Sequence, residues 1–298
     1  MRSLFRKMLC SIFGLRNTYY VALLARKLTK KITNLAISIK RPLETNFYRS
    51  EKLALGEQRS YGFPSSWVLV DREDSDFNVN LSRNPILPFK DETKSVIFSA
   101  HTFEHLGFES VELLLRECFR VLKPSGSIKI EVPDGELAVK RYCENDADFI
   151  RTFKEQNMNL HHRFGLDERL TEDHIVLMNF FSFSYPCLHE SGAVFPTHVP
   201  VPAYAPKEIM DEKLNSLSLK EFIDWAVSLQ SDEERDTGGH QCGFSFDILR
   251  ELLEKAGFCN IKKMQSGETE IPTISTSFKL LGKNHRKFFS LYVEAQRP

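Results

Sequence analysis

Cysteine pairs and long apolar runs are both missing from this chain of 298 residues. The six cysteines are scattered, and no two of them form a Cys-x-x-Cys pair. This excludes a zinc ribbon and a disulfide framework, and it fits a reducing compartment. In the first 50 residues no uncharged run exceeds nine residues, whereas a membrane-spanning helix needs about 20. Arg16 also interrupts any apolar core of the signal-peptide kind.

The formal net charge is zero, but the charges are unevenly distributed. Residues 1–50 hold eleven Lys or Arg and one acid, Glu44, whereas the remainder holds 29 basic and 39 acidic residues. Nucleic-acid binding needs a basic surface that neutralises phosphates. We therefore expect no nucleic-acid partner for the main body of the protein.

Residues 1–50 form a basic leader in which apolar residues recur at helical spacing up to Ile39 and Pro42 ends the pattern. A basic amphipathic helix over residues 1–40 is typical of elements that lie on an anionic membrane surface. The expected location is therefore cytoplasmic and peripheral, at the inner face of the membrane. Two alternatives remain open at this point. The helix could pack on its own domain, or the Arg-rich and nearly acid-free segment could be a transit peptide.

The central stretch of the chain predicts a parallel βαβ unit. Ser95–Ala100 is an uncharged run rich in β-formers, and it stops at four polar residues: His101, Thr102, Glu104 and His105. An amphipathic helix follows over residues 109–122, then a turn over 123–126 and a strand over 127–132 that ends in Pro133-Asp134. In parallel sheets, ligands bind beyond the carboxyl ends of the strands, so this pattern predicts a site near residues 101–105 and Asp134.

Two short apolar segments precede this unit. Lys52–Gly56 reads as a strand closed by glycine, and Trp67–Asp71 reads as a strand that ends in an acid. A third short strand is expected at Phe77–Leu81. A carboxylate at a strand tip suits hydrogen bonds to ribose hydroxyls, although Asp71 could equally be a simple turn residue.

The order LALG, WVLVD, PILPF, SVIFSAHTFEHL and LLRECFRVLKPSGSIKIEVPD resembles the class I S-adenosylmethionine-dependent methyltransferases. It is similar to a small branch of the methyltransferase type 11 kind that is often encoded with surface-polysaccharide genes. The resemblance covers about residues 52–134 and resumes at residues 246–258 and 290–295.

The resemblance implies an α/β, Rossmann-like fold with a seven-stranded, mostly parallel sheet whose last strand is antiparallel. Residues 51–136 and 240–298 would form this core. Residues 137–239, which are rich in His and aromatic residues, would form a helical and loop insert that caps the acceptor site.

The resemblance also implies a cofactor, S-adenosylmethionine, and an acceptor, which would be a small molecule or a glycan or glycolipid precursor methylated on oxygen. Residues at the positions of the family's cofactor site are Gly56, Glu57, Asp71, Asn80, Ser99 and Ala100. The candidate catalytic residues are His105, Glu104 and His101, and His240 is expected near the rim of the site.

His105 suits the role of a base for the acceptor hydroxyl, because a neutral imidazole has a pKa near working pH. The alternative is that His105 only bonds a backbone carbonyl and fixes its loop.

The glycine motif of this branch is incomplete. The family's Gly-x-Gly is Gly56-Glu57-Gln58 here, and Ala54 stands where an acid or Asn is usual. A side chain at position 58 hinders close approach of a ligand to the backbone. A catalytically inactive relative that serves as a binding or scaffold protein therefore remains an alternative.

His101–His105 also matches H-x-x-E-H, the pattern of the inverted zinc peptidases. That motif works in the middle of a helix, where two His at i and i+4 share one face. Here the first His follows a strand directly, so we expect no metal site of this kind. A zinc peptidase is the least favoured function.

Overall fold

The computed structural model describes residues 50–61, 63–157, 177, 180–181, 205, 207–230, 240–274 and 288–298. All of them belong to one compact unit that takes in residues 47–186 and 200–298. The predicted leader helix lies outside the described residues, as does most of the predicted insert with His161, His162, His174, His189 and His198. The predicted division into leader, core and cap therefore stays a prediction.

The strands of the described part are β1 (Lys52–Leu55), β2 (Val68–Asp71), β3 (Phe77–Asn78), β4 (Lys94–Ala100), β5 (Leu122–Pro133), β6 (Cys259–Met264) and β7 (Ser290–Gln296). The helices are α1 (Phe108–Val121), α2 (Gly135–Cys143), α3 (Ala147–Asn157), α4 (Lys207–Ser216), α5 (Leu219–Ser228) and α6 (Phe246–Ala256). Two short 3₁₀ turns, Arg59–Tyr61 and Phe103–His105, follow β1 and β4.

The seven strands form one sheet in the order β3-β2-β1-β4-β5-β7-β6. Neighbours from β3 to β5 are parallel, and β7 runs antiparallel to both β5 and β6. The predicted α/β, Rossmann-like fold with an antiparallel last strand is therefore confirmed. Because β1, β2, β4 and β5 are parallel, their carboxyl ends at Leu55, Asp71, Ala100 and Pro133 meet at one edge of the sheet.

Both faces of the sheet are buried, which explains why its strands read as nearly continuous apolar runs. Leu53 and Leu55 lie in the larger core, which also takes in residues of α1 and α6. Ala54 points to the opposite face, where it joins a smaller cluster with Trp67 and Phe98. Trp67 and Phe98 are each 1% exposed, and full burial of such a side chain contributes roughly 1.5–3 kcal/mol.

The turn predicted at residues 123–126 is wrong as a boundary between helix and strand. Instead, β5 begins at Leu122, directly after α1, and the predicted turn is a bulge inside it. The pairing with β4 shifts from Lys94↔Leu122 to Val96↔Ser127 across this bulge. Ser125 has a φ of 62°, and its backbone N donates to the carbonyl of Arg297 at 3.0 Å. The carbonyl of Arg297, near the end of the chain, thus gives a hydrogen-bond partner to the backbone N of Ser125 in the bulge that the Pro-Ser-Gly sequence creates.

Helix α6 is bounded by residues that favour helix ends. Ser245 caps its start by accepting a hydrogen bond from the Ile248 N, and Gly257 ends it with a φ of 102°. The third strand, expected at Phe77–Leu81, is shorter and covers Phe77–Asn78.

Among the described residues, no helix combines the length and the apolar character needed to cross a membrane.

Candidate active site

The tip of β1 is closely packed against the loop that follows β4. Gly56 has a φ of 71°, and a Cβ placed on it would lie 1.9 Å from Thr102 Oγ1. The Thr102 hydroxyl donates to the Leu55 carbonyl at 3.3 Å, and the Gly56 N donates to the Val70 carbonyl at 2.8 Å. Glycine is therefore required here both by its backbone conformation and by the approach of Thr102.

The predicted ribose-binding carboxylate, Asp71, lies at the tip of β2 and faces Gln58. Gln58 Nε2 donates to Asp71 Oδ2 at 3.0 Å, and the Arg72 N donates to Oδ1 at 2.7 Å. Gln58 is half-buried, so its side chain can move without opening the core.

The short connection from β1 to β2 is held by Arg59. Its guanidinium donates to the carbonyls of Trp67 and Pro64 and pairs with the carboxylate of Asp76. Asp76 Oδ2 in turn accepts from the Leu69 N at 2.9 Å. A single 3₁₀ turn is therefore enough to close this crossover, as its length predicts.

The other predicted cofactor residues lie in more enclosed positions. Ser99 is fully buried in β4 and donates to the Leu55 carbonyl at 3.2 Å, and Ala100 is 5% exposed. The Glu57 side chain is 1% exposed. Asn80 Oδ1 accepts from both the backbone N and the hydroxyl of Ser82, as in an Asx turn. Their roles in cofactor binding remain predictions.

On the side predicted to face the acceptor, β4 is followed directly by His101, which is in the left-handed conformation with a φ of 52°. The chain then makes the 3₁₀ turn Phe103–His105, which buries the side chain of Glu104 to 1% exposure. The H-x-x-E-H motif therefore lies on a strand end and a 3₁₀ turn, not on a helix. The arrangement of an inverted zinc peptidase is not formed by these residues.

His101 connects Glu104 to the end strand β7. His101 Nδ1 lies 2.9 Å from Glu104 Oε1, and His101 Nε2 lies 2.9 Å from Ser290 Oγ. Burial raises the pKa of Glu104, but the attraction and hydrogen bond of His101, with weaker contributions from His105 and His240, hold that pKa at about 2. Glu104 is therefore an ionised, buried carboxylate.

His240 is brought to Glu104 and His105 by the segment that leads into α6. The Gln241 N donates to the Glu104 carbonyl at 2.7 Å, and the rings of His105 and His240 are 5.0 Å apart. The sequence placed His240 near the rim, whereas the structure buries it to 7% exposure. Burial, with repulsion from His105, lowers the pKa of His240 to about 3, so its ring is neutral.

The ring of His240 is oriented by a backbone carbonyl, since Nδ1 lies 3.1 Å from the carbonyl oxygen of Phe180. A carbonyl only accepts, so Nδ1 carries the proton and Nε2 carries the lone pair.

Three buried polar atoms of this group have no hydrogen-bond partner among the described residues, although His101 Nδ1 approaches the first to 2.9 Å: Glu104 Oε1, Glu104 Oε2 and His105 Nδ1. Glu104, His105 and His240 each offer one atom with a lone pair, and these three atoms lie within 4.8 Å of one another. We refer to Glu104, His105 and His240 as the acceptor-side cluster. The sequence named all three residues, but it predicted no contact between His240 and the other two.

Asp134, at the end of β5, has a structural role. Its Oδ1 caps α2 by accepting from the Leu137 N at 3.0 Å, and its Oδ2 pairs with Lys263 Nζ at 3.2 Å. Both carboxylate oxygens of Asp134 are thus engaged by partners within the described fold.

Residues 71–130 match the family model described as a methyltransferase domain. No curated protein matches the chain. Among solved structures, a S-adenosylmethionine-dependent methyltransferase from Mesorhizobium loti is 11% identical, with 88% of this chain and 96% of that chain covered and a TM-score of 0.36. One from Archaeoglobus fulgidus is 15% identical, covers 91% and 94%, and has a TM-score of 0.33. A putative one from Listeria monocytogenes is 10% identical, covers 86% and 93%, and has a TM-score of 0.37.

These structural similarities are too low to carry an argument about function. The matched segment runs from the tip of β2 through β4 and α1 into β5, and so includes Asp71, Glu104 and His105. The sheet order and the antiparallel β7 are those expected of the class I fold. Residues 71–130 are thus similar to a methyltransferase domain, and the described sheet has the topology expected of the class I S-adenosylmethionine-dependent methyltransferases.

Proposed function

We propose that this methyltransferase acts on a hydroxyl oxygen of a glycan or glycolipid precursor and that His105 activates this hydroxyl. The observation that supports a hydroxyl acceptor most directly is the acceptor-side cluster. A hydroxyl must lose its proton when it is methylated, and the cluster brings His105, whose Nδ1 has no partner among the described residues, close to the buried Glu104 carboxylate.

The cofactor would bind at the edge formed by the tips of β1 and β2. The Gln58 amide, 3.0 Å from Asp71 Oδ2, already occupies the place of a hydrogen-bond donor. A ribose hydroxyl is also a donor, so it can replace the amide once Gln58 swings aside. When bound there, S-adenosylmethionine supplies an electrophilic methyl group on its sulfonium. Asp71 would hold the ribose, and the tight β1 tip at Gly56 would form the floor.

The protein's own contribution is mainly alignment, because methyl transfer is an in-line displacement. The end of β4 joins the two halves of the site, since Thr102 packs on Gly56 while Glu104 and His105 follow within three residues. An acceptor hydroxyl near His105 Nδ1 would therefore be held at a fixed distance from the cofactor. Glu104, ionised and fixed by His101, favours any positive charge that develops on His105.

The choice of a glycan or glycolipid is supported by the resemblance to the branch described above. The basic leader, residues 1–40, adds a reason to expect an acceptor at a membrane surface. Cosedimentation of the full chain with vesicles containing anionic lipid tests this part. A variant that lacks residues 1–40 and binds as well as the full chain would refute it.

The central test is methyl transfer from radiolabelled S-adenosylmethionine to a panel of lipid-linked sugars, with nonhydroxylated amines as a comparison. We expect label in the hydroxyl acceptors only. His105→Ala should lower the turnover number by about 10²–10⁴-fold, the usual contribution of a positioned acid or base. Cys143→Ser, a change at an exposed thiol far along the chain from the cluster, serves as the matched control. Full turnover by a folded His105→Ala variant would remove His105 from this role.

A second candidate, a binding or scaffold protein without catalysis, is favoured by one contact. The hydrogen bond from Gln58 to Asp71 occupies the carboxylate that the ribose needs. Titration calorimetry with S-adenosylhomocysteine separates the two functions. Saturable binding supports the enzyme, and its absence in both the natural chain and Gln58→Ala supports the scaffold.

A further inference from the structure

Three side chains with lone pairs converge behind the end of β4. Glu104 and His105 come from the 3₁₀ turn, and His240 comes from a segment more than 130 residues later in the chain. Their three donor atoms lie within 4.8 Å of one another. Glu104 is 1% exposed and His240 is 7% exposed. This part of the site is therefore enclosed by protein on most sides.

The cluster is not completed by the described part of the protein. Glu104 Oε2 and His105 Nδ1 are buried, and neither has a hydrogen-bond partner there. A buried polar group without a partner destabilises the fold, and a charged one does so more strongly. The missing partner must suit a carboxylate oxygen and imidazole lone pairs together. A cation satisfies all of these at once.

Neighbouring groups orient the side chains of Glu104 and His240 in the way that protein metal ligands are usually oriented. Ligating His residues commonly donate their other ring N–H to a carbonyl, and ligating carboxylates are themselves hydrogen-bonded. His240 Nδ1 lies 3.1 Å from the Phe180 carbonyl oxygen, which leaves Nε2 for a ligand. Glu104 Oε1 lies 2.9 Å from His101 Nδ1, which leaves Oε2. His101 is itself fixed by Ser290 Oγ at 2.9 Å.

We propose that Glu104, His105 and His240 bind a divalent transition-metal ion, with zinc as the reference ion. Two imidazoles and one carboxylate are a donor set of catalytic zinc sites and of other sites for divalent transition metals that keep open coordination positions. This assignment differs from the H-x-x-E-H pattern, in which His101 would be a ligand and Glu104 would be the base. In this protein His240 replaces His101 as the second imidazole.

The three donor atoms need to move only a short distance to bind a zinc ion. Ligand atoms about 2.1 Å from a tetrahedral zinc ion lie roughly 3.4 Å apart, so the cluster must contract by at most about 1.4 Å. Rotation of the half-buried His105 ring supplies most of this change, because Glu104 and His240 are fixed by their outer partners.

The site also refines the proposed function, and this step rests on it. When bound, such a cation would supply a Lewis acid that lowers the pKa of an acceptor hydroxyl. His105 would then hold the ion instead of taking the hydroxyl proton, and that proton would pass to water. Loss of the ion would leave the fold and cofactor binding intact while methyl transfer to hydroxyls falls.

The test uses the full chain, stripped with a chelator and then titrated with zinc sulfate by calorimetry and equilibrium dialysis. Cobalt(II) in place of zinc gives a visible absorption spectrum that reports the ligands. We expect one ion per chain and a cobalt spectrum of a nitrogen and oxygen site. Glu104→Gln keeps the side-chain shape and should weaken zinc binding at least 100-fold. His101→Gln, which alters only the outer partner, should weaken it about 10–100-fold.

The exposed thiol of Cys143 provides a matched control for adventitious binding, so Cys143→Ser should bind zinc as the natural chain does. Failure of the chain to bind zinc or cobalt, or equal binding by a folded Glu104→Gln variant, overturns the proposal. His240→Gln provides a second check on a different element. Absence of metal with methyl transfer retained refutes the metal site alone. Bound metal without transfer to any hydroxyl refutes the proposed function alone.

Discussion

The predicted cofactor half and the predicted acceptor half of the site lie at the same edge of the sheet, but they satisfy their polar groups in opposite ways. At the tips of β1 and β2, Asp71 receives hydrogen bonds from Gln58 and from the Arg72 N. At the end of β4, Glu104 Oε2 and His105 Nδ1 receive none from the described residues. The cofactor half is closed by protein groups that a ligand must displace. The acceptor half has groups that a ligand would complete.

This difference predicts different responses to substitution. Where the chain's own groups fill the space, adding atoms should destabilise the fold, and removing the competing group should strengthen ligand binding. Where groups lack partners, substitution should affect ligand or metal binding more than folding.

The largest expected effect on stability is at the closed tip. Gly56→Ala introduces a Cβ 1.9 Å from Thr102 Oγ1 at a φ of 71°. The conformational penalty of about 1–2 kcal/mol is then added to a clash of the overpacking kind, for a total loss of roughly 3–4 kcal/mol in the free energy of unfolding. Urea unfolding followed by circular dichroism measures it.

Gly267→Ala is the matched control, because Gly267 also has a positive φ, 80°, but nothing lies within 4 Å of its added Cβ. It should lose only about 1–2 kcal/mol. Equal losses at the two glycines would show that Thr102 moves aside freely and that the tip is not closely packed.

The comparison also explains how much of the site could be predicted from sequence. Gly56, Asp71, Glu104 and His105 were identified because local patterns place polar residues at strand ends, and the parallel order brings those ends together. Helix α6 has local signals at both ends, since Ser245 caps its start and Gly257 ends it.

The contacts that decide the chemistry are not local. The hydrogen bond from the Gln241 N to the Glu104 carbonyl brings His240 to the cluster across a long separation in sequence. Whether Gln58 turns toward Asp71 depends on a side-chain rotamer in a short loop. The bulge in β5 was misassigned because Pro-Ser-Gly favours a turn, whereas pairing of Ser125 with Arg297 keeps it inside the strand.

A second prediction compares two buried charges at the two ends of β4. Lys94 is fully buried at the start of the strand, where its Nζ donates to the Ser50 carbonyl at 2.7 Å and lies 4.0 Å from the Phe89 ring centre. Burial lowers the pKa of Lys94 to about 8, against an opposing attraction from Glu51. The charge of Glu104 is offset by the attraction and hydrogen bond of His101, whereas Lys94 has only the attraction of Glu51 to set against its burial.

The direction in which stability changes with pH follows from proton binding in the folded and unfolded chains. Between pH 8 and about 10.5 the unfolded chain holds the Lys94 proton and the folded chain releases it, so folding becomes more favourable as pH rises. The gain is on the order of 2–3 kcal/mol over this interval. The gain is measured as the difference in free energy of unfolding between the natural chain and Lys94→Met. The buried thiols and Tyr142 are present in both proteins, so their contributions cancel in this difference. A difference that stays constant from pH 7.5 to 10.5 would contradict the assignment.

The smallest expected effect tests whether a ligand can displace the Gln58 side chain from Asp71. Gln58→Ala removes the amide that donates to Asp71 Oδ2 at 3.0 Å. A hydrogen bond to a charged group contributes about 1.5–3 kcal/mol, and a ribose hydroxyl recovers most of it, so the net gain for the ligand is about 1 kcal/mol or less. Binding of S-adenosylhomocysteine should therefore tighten by up to about fivefold in calorimetry.

Asp71→Asn provides the opposing control, because an amide in place of the carboxylate weakens both the bond to Gln58 and the bond to ribose. Its affinity for S-adenosylhomocysteine should fall by about tenfold or more, whichever residue occupies position 58. Unchanged binding in Gln58→Ala together with a loss in Asp71→Asn would mean that Gln58 does not compete with the ribose. The ligand would then accept Gln58 as a neighbour on the same carboxylate. In that case the two halves of the site would differ less than their hydrogen bonds indicate, and the incomplete glycine motif would be compatible with cofactor binding without any movement of the loop.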